Sequence, residues 1–193
     1  MTRTPIALIP YLLVVAAVAL GLLWQAVDRP EGAKPAAIGG EFSLIDQDGN
    51  RRHAADFRGR FLLVYFGYSY CPDICPTTLT MMADALDKLG PLGNRIVPIF
   101  ITIDPARDTP KVLKDYLKSF SPRFVGLTGD AKSVAAVAKA YRVYYQKHPL
   151  KGGGYGMDHS SLIYLMGPDG RFLTDYDESL GADGMAALLK KWL

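Results

Sequence analysis

The sequence predicts an α/β domain, and three observations carry that prediction. The segments 61–67 and 96–103 are apolar on both faces, the pattern of strands buried in the middle of a sheet. Each is followed by a loop, a proline and a stretch with hydrophobic residues at helical spacing, so that strands and helices alternate through residue 140. The chain has 193 residues, 49% of them hydrophobic and 21% charged, which is one domain's worth of material with ample apolar side chains for a core. That composition excludes a disordered or collagen-like polymer. A net charge of +3, spread through the chain, forms no basic run and argues against nucleic acid as a partner.

In chain order, residues 42–45 form a first strand, and Asp46-Gln47-Asp48-Gly49-Asn50 supplies the positive-φ positions of a hairpin, with Arg51 and Arg52 as its solvated tip. The strand 61–67 runs into Cys71-Pro72-Asp73-Ile74-Cys75-Pro76. Pro76 suits the first turn of a helix on which Leu79, Met82, Leu86 and Leu89 recur. Met81 and Met82 are assigned to packing rather than to a metal. After the strand 96–103, Asp108 or Thr109 caps a helix opened by Pro110 and carrying Val112, Leu113, Tyr116, Leu117 and Phe120. A short strand at 124–127 precedes Asp130, the cap of a helix over 131–140. Residues 147–156, with three consecutive glycines, read as a mobile loop. The segments 161–166 and 172–174 pair across Gly167-Pro168-Asp169-Gly170, and an amphipathic helix over 185–192 closes the chain.

Ahead of this domain, residues 6–24 carry no charge and are long enough to span a bilayer at about 1.5 Å per residue. Ala17-Val18-Ala19 has the small-residue form of a signal-peptide cleavage site, but Leu20, Leu22, Leu23 and Trp24 continue the apolar run beyond it, so an uncleaved anchor is expected. The predicted division is a short cytoplasmic tail over 1–5, a transmembrane anchor over 6–27, a Pro-, Gly- and Ala-rich linker over 28–40 and a folded domain over 41–193. This places the chain as a single-pass protein of the inner (cytoplasmic) membrane, its working domain periplasmic or extracytoplasmic.

The chemistry centres on sulfur. Cys71 and Cys75 stand four residues apart, which on a helical turn puts both on one face, within reach of a disulfide or of one metal ion. Cys75 lies at a helix N-terminus, where the macrodipole favours a thiolate. A static disulfide there would close too small a loop to constrain the unfolded chain, so reactive sulfur is expected. An imidazole would complete a trigonal site of soft sulfur and borderline nitrogen, suited to copper in either oxidation state. Three histidines leave that choice open. His53 follows two arginines and reads as surface, His148 borders the glycine loop near Lys147 and Lys151, and His159 precedes the strand that begins at 161. Asp104, Arg107 and Asp108 read as capping and turn-tying residues, and Asp158 as a candidate to orient the imidazole beside it.

Three motifs, CPDICP after a strand, IDPARDTP, and YGMDHSSLIYLMGPDGRF, together resemble the SCO/SenC family of membrane-anchored, thioredoxin-like copper proteins. The resemblance runs from the first hairpin to the last helix, with the motifs in the family's order. It implies a thioredoxin-like fold, a central mixed sheet flanked by helices, with an N-terminal hairpin and an inserted hairpin or loop that carries the histidine. It implies that Cys71, Cys75 and His159 bind copper, Cu(I) or Cu(II), and that the chain delivers it to the binuclear copper centre of a haem-copper terminal oxidase. The implied partners are the copper-centre subunit of that oxidase and a second copper chaperone or a thiol reductase.

The metal-free alternative is an extracytoplasmic thiol-disulfide oxidoreductase acting on partner cysteines through Cys71 and Cys75. Thioredoxin-like oxidoreductases carry CxxC and a proline before the strand facing the cysteines. Here the spacing is CxxxC and Asp158-His159-Ser160 stands in the proline's place, which favours copper, although a reduced, metal-free pair also exchanges disulfides. A thiol peroxidase would carry Thr or Ser three residues before its reactive cysteine, where Tyr68 and Pro72 stand. Structural zinc normally takes four ligands, and only three candidates converge.

Overall fold

The chain from Ala37 to Leu193 forms one compact unit, which is the part that the computed structural model describes. The predicted tail and anchor, and most of the predicted linker, lie outside the described residues. Among the described residues no helix is long and apolar enough to cross a membrane.

β1 (Ser43–Asp46) and β2 (Arg51–His53) form the first hairpin. The buried Asp46 builds its turn by accepting the backbone N–H groups of Asp48 and Asn50 at 3.0 and 2.8 Å, while Gly49 takes the left-handed conformation at φ 86°. Arg51 and Arg52 therefore belong to β2 rather than to the tip, and the Arg52 guanidinium lies 5.1 Å over the Phe57 ring.

β3 (Phe61–Gly67) is buried at every position, as its unbroken apolar run requires. α1 (Ile74–Lys88) begins before Pro76, so that Cys75 lies inside its first turn, and it buries Leu79, Met81, Met82 and Leu86. β4 (Ile96–Thr102) is likewise wholly buried. α2 (Pro110–Leu117) is capped by Thr109, whose hydroxyl accepts the Val112 N–H at 3.3 Å. β5 (Val125–Thr128) and α3 (Ala131–Ala140) follow, the latter capped by Asp130 through the Ser133 N–H at 2.7 Å.

The stretch expected as a mobile loop is instead a hairpin, β6 (Tyr145–Pro149) paired antiparallel with β7 (Tyr155–His159). Its three consecutive glycines form the tip, where Gly153 and Gly154 adopt positive φ. Polar side chains along β6 hide the strand from a hydrophobic reading, because this hairpin is half solvated. β8 (Ile163–Met166), β9 (Phe172–Tyr176) and α4 (Gly181–Leu189) complete the fold, α4 starting at 181 rather than 185.

The main sheet is mixed, in the order β2-β1-β5-β4-β3-β8-β9. β3 pairs parallel with β4, and β4 with β5; the other pairings are antiparallel. Helical crossovers link the parallel strands, so the loops after β3 and β4 open at one end of the sheet. Because β8 runs antiparallel to β3, with Tyr65 opposite Ile163, the chain entering β8 arrives at that same end. Residues 71–75 and 159 are thereby brought together across more than eighty positions of sequence.

Candidate metal centre

The cysteine turn hangs from the carboxyl end of β3. Cys71 N–H donates to the Tyr68 carbonyl at 3.2 Å, and Cys75 N–H points at Cys71 Sγ at 3.4 Å, so the first sulfur lies against the opening turn of α1. Both cysteines are buried and both are free thiols. The hydrogen bond from the Cys75 thiol, aided by that from the Cys75 N–H, outweighs burial and lowers the Cys71 pKa to about 4. Cys75 moves in the opposite direction, its charged form disfavoured first by the Cys71 sulfur and then by its own deeper burial. Of the pair, Cys71 carries the thiolate.

This charge makes a prediction. Alkylation of Cys71 by iodoacetamide is expected to be nearly flat from pH 8 to pH 5 and to fall by about tenfold per unit only below pH about 4. A rate that drops tenfold per unit from pH 8 downwards, followed by mass spectrometry, would mark an ordinary thiol.

His159 reaches the cysteines from the end of β7. Its Nε2 lies 3.5 Å from Cys75 Sγ, and its Nδ1 lies 3.0 Å from the Ser160 carbonyl. An Nδ1–H donated to that carbonyl leaves the Nε2 lone pair facing sulfur. Asp158, the candidate to orient this ring, points to the other face of β7 and pairs with His148 at 3.2 Å, because adjacent strand residues alternate sides. His148 thus lies outside the cluster, and His53 sits on the first hairpin, its N–H bonded to Asp56. The sulfurs of Cys71 and Cys75 and a ring nitrogen of His159 all lie within 4.8 Å of one another.

Several residues that a linear reading passes over complete the surroundings. The Tyr65 hydroxyl donates to Cys75 Sγ at 3.8 Å, and burial pushes its phenol upward, so it stays a protonated donor. The rings of Tyr65 and Tyr68 meet the His159 imidazole edge-on, centroids 6.2 and 6.0 Å away. Gly67 leaves room for sulfur, since a Cβ there would stand 2.8 Å from Cys75 Sγ. Asp108 is not a helix cap. It is fully buried and accepts hydrogen bonds from the Ser69 N–H and hydroxyl and, at 2.6 Å, from Thr102, tying the cysteine loop to the end of β4. Burial pushes its carboxyl up, opposed by those same bonds.

Two thiols and one imidazole form a donor set for a soft or borderline ion, with too few oxygens for Ca²⁺ or Mg²⁺. Fold and site together define a thioredoxin-like α/β domain that offers this set at the carboxyl end of its central strand. The chain matches the SCO1/SenC family over residues 30–193 and belongs to it. It is 42% identical over 153 residues to human "Protein SCO1 homolog, mitochondrial", covering 78% of this chain and 51% of that protein. To the "SCO2-like protein" of Rickettsia felis it is 43% identical over 143 residues, covering 72% of this chain and 69% of that one. The chain spans about half the length of the human relative and 48% of its Arabidopsis thaliana counterpart.

Solved structures agree. Bradyrhizobium japonicum ScoI with copper bound is 44% identical, with a TM-score of 0.76 over 81% of this chain and 100% of that one. Yeast Sco1 with copper bound is 39% identical, with a TM-score of 0.75 over 80% of this chain and 87% of that one. BsSco, described as having a disulfide switch and as a member of the Sco family of cytochrome c oxidase assembly proteins, is 27% identical, with a TM-score of 0.64 over 81% of this chain and 94% of that one.

Proposed function

We propose that this chain is a copper carrier for the assembly of a haem-copper terminal oxidase, with Cys71, Cys75 and His159 as its ligands and the oxidase's binuclear copper centre as its destination. The carrying observation is the convergence of two free thiols and an imidazole nitrogen within 4.8 Å. Copper-bound relatives of the same fold support the choice of metal, and the description of BsSco supports the oxidase. Residues 6–27 would hold the domain at the inner membrane, facing outward, where its acceptor subunit assembles. Cys71 and Cys75 must be reduced to serve as ligands, and Cys75, which still carries its proton, loses it when copper is held, so uptake releases acid. His159 sits on a hairpin outside the main sheet and is the ligand that an acceptor's donors would replace first.

His159→Ala is expected to weaken Cu(I) binding by about tenfold or more, a direct donor being worth at least as much as the outer contacts of a metal site. Anaerobic titration of the full chain against a chromophoric Cu(I) chelator measures this, and Cys71 and Cys75 should still form their disulfide in the variant. Unchanged affinity would remove His159 from the ligand set and with it the three-ligand site.

The lowered pKa of Cys71 favours a second activity of the same pair, reduction of a partner's disulfide. The Cys71 thiolate would attack one partner sulfur and expel the other as a thiolate. Cys75, giving up its proton, would then attack Cys71 and release the partner's second sulfur, so the partner gains the two electrons that the chain loses. Copper-free chain that fails to reduce a dicysteine peptide disulfide would dismiss this activity and leave the carrier reading intact.

A further inference from the structure

The β6–β7 hairpin forms a two-stranded sheet of its own, and no backbone ladder joins it to the seven-stranded sheet. Something else must aim His159 at the cysteines. Along β7, alternate residues face the body of the domain. His159 meets Cys75, the Met157 N–H donates to the Tyr68 hydroxyl at 3.3 Å, and Tyr155 meets the loop that follows β4.

That last contact is the most extensive. The Tyr155 hydroxyl donates to Asp104 at 2.9 Å, and its carbonyl accepts from Arg107 Nη1 at 3.0 Å. The Arg107 guanidinium lies over the Tyr155 ring, 3.7 Å from the centroid, while its Nε donates to the buried carboxylate of Asp104. On the other side the same guanidinium lies 4.7 Å from the ring centroid of Tyr70, the residue before Cys71. One planar cation therefore touches both the loop that carries the thiols and the hairpin that carries the imidazole. A lysine in its place would have a single ammonium where contacts to three residues are made.

We propose that Asp104, Arg107 and Tyr155 form a latch that sets the hairpin's orientation, with Arg107 the positioning residue for His159. Tyr155 and His159 are four residues apart, about 13 Å along an extended strand, so a rotation at the latch becomes a displacement of the imidazole. With the latch closed, His159 faces Cys75. With it open, the thiol pair loses its nitrogen neighbour while the loop that carries it stays tied to β4 through Asp108.

The copper arm of the test rests on the proposed carrier function; the metal-free arm does not. In the metal-free full chain, Arg107→Ala is expected to raise hydrogen exchange of the hairpin amides and the modification of His159 by diethyl pyrocarbonate by about tenfold or more, with β3 and β4 amides still protected. Arg107→Lys should not restore protection. Tyr155→Phe, which keeps the stacking and the carbonyl contact but loses the bond to Asp104, should give a smaller rise. In a double-mutant cycle on Cu(I) affinity, His159→Ala should cost far less in the Arg107→Ala background than in the wild type. Hairpin exchange unchanged in Arg107→Ala overturns the latch. So does a loosened hairpin in which His159 keeps its full contribution to copper affinity. If the wild type takes up no Cu(I), the carrier reading falls, and the metal-free exchange alone upholds or overturns the latch.

Discussion

Cys75→Ser is expected to reduce Cu(I) affinity by at least about a thousandfold, the largest effect of any single substitution in this chain. Structural zinc in zinc-finger peptides binds with apparent free energies of about 10–16 kcal/mol, and on that scale one of three donors carries on the order of 4 kcal/mol, or about three decades. Serine is close to isosteric, but its hydroxyl does not ionise at neutral pH and is a hard donor where copper selects soft sulfur. Cys75 is fully buried, and the Tyr65 hydroxyl that now points at its sulfur remains available as a partner for serine's oxygen. The fold should therefore persist, and a denaturant midpoint close to wild type would separate a lost ligand from a lost structure. Copper affinity within tenfold of wild type would show that Cys75 is not a ligand.

The second large effect is expected at a residue with no chemistry of its own. Gly67 ends β3, and a Cβ there would stand 2.8 Å from Cys75 Sγ, 3.0 Å from the Phe100 ring and 3.3 Å from the Tyr65 ring. Phe100 and Tyr65 are themselves fully buried and have nowhere to retreat. Gly67→Ala should thus cost about 1–3 kcal/mol of stability through overpacking. Part of that strain is relieved by pushing the Cys75 sulfur off its position, which should weaken copper binding by about ten- to a hundredfold even though all three donors remain. Chemical denaturation and the Cu(I) titration read the two effects separately. A variant with wild-type stability and wild-type affinity would show that sulfur moves freely there and that the close approach does not shape the site.

Much of the scaffold is legible residue by residue. β3 and β4 are continuous apolar runs because both faces of a central strand are covered, and a pattern of that kind depends on no distant partner. The starts of α2 and α3 are equally local, since Thr109, Pro110 and Asp130 act on backbone groups within a turn of themselves. The hairpin β6–β7 carries no local hydrophobic pattern, because half of it faces solvent and its strands pair only with each other. Asp108 reads as a cap in the sequence because capping is the commonest local use of such a residue. Its actual partners, Ser69 and Thr102, lie on a different loop and strand.

For the site itself, the sequence alone determined that two thiols share one helical turn, because four residues of α-helix bring side chains back to the same face wherever the helix sits. It left His148 and His159 as competitors, and the resemblance to a family rather than any spacing favoured the second. Only the tertiary structure shows which of them lies beside the cysteines. β8 lies antiparallel to β3, which delivers His159 to the end of the strand that bears the cysteines, and the alternation of side chains along β7 turns His159 inward while Asp158 faces out to pair with His148. Those placements follow from strand pairing between segments far apart in the chain, and no local pattern of residues encodes them.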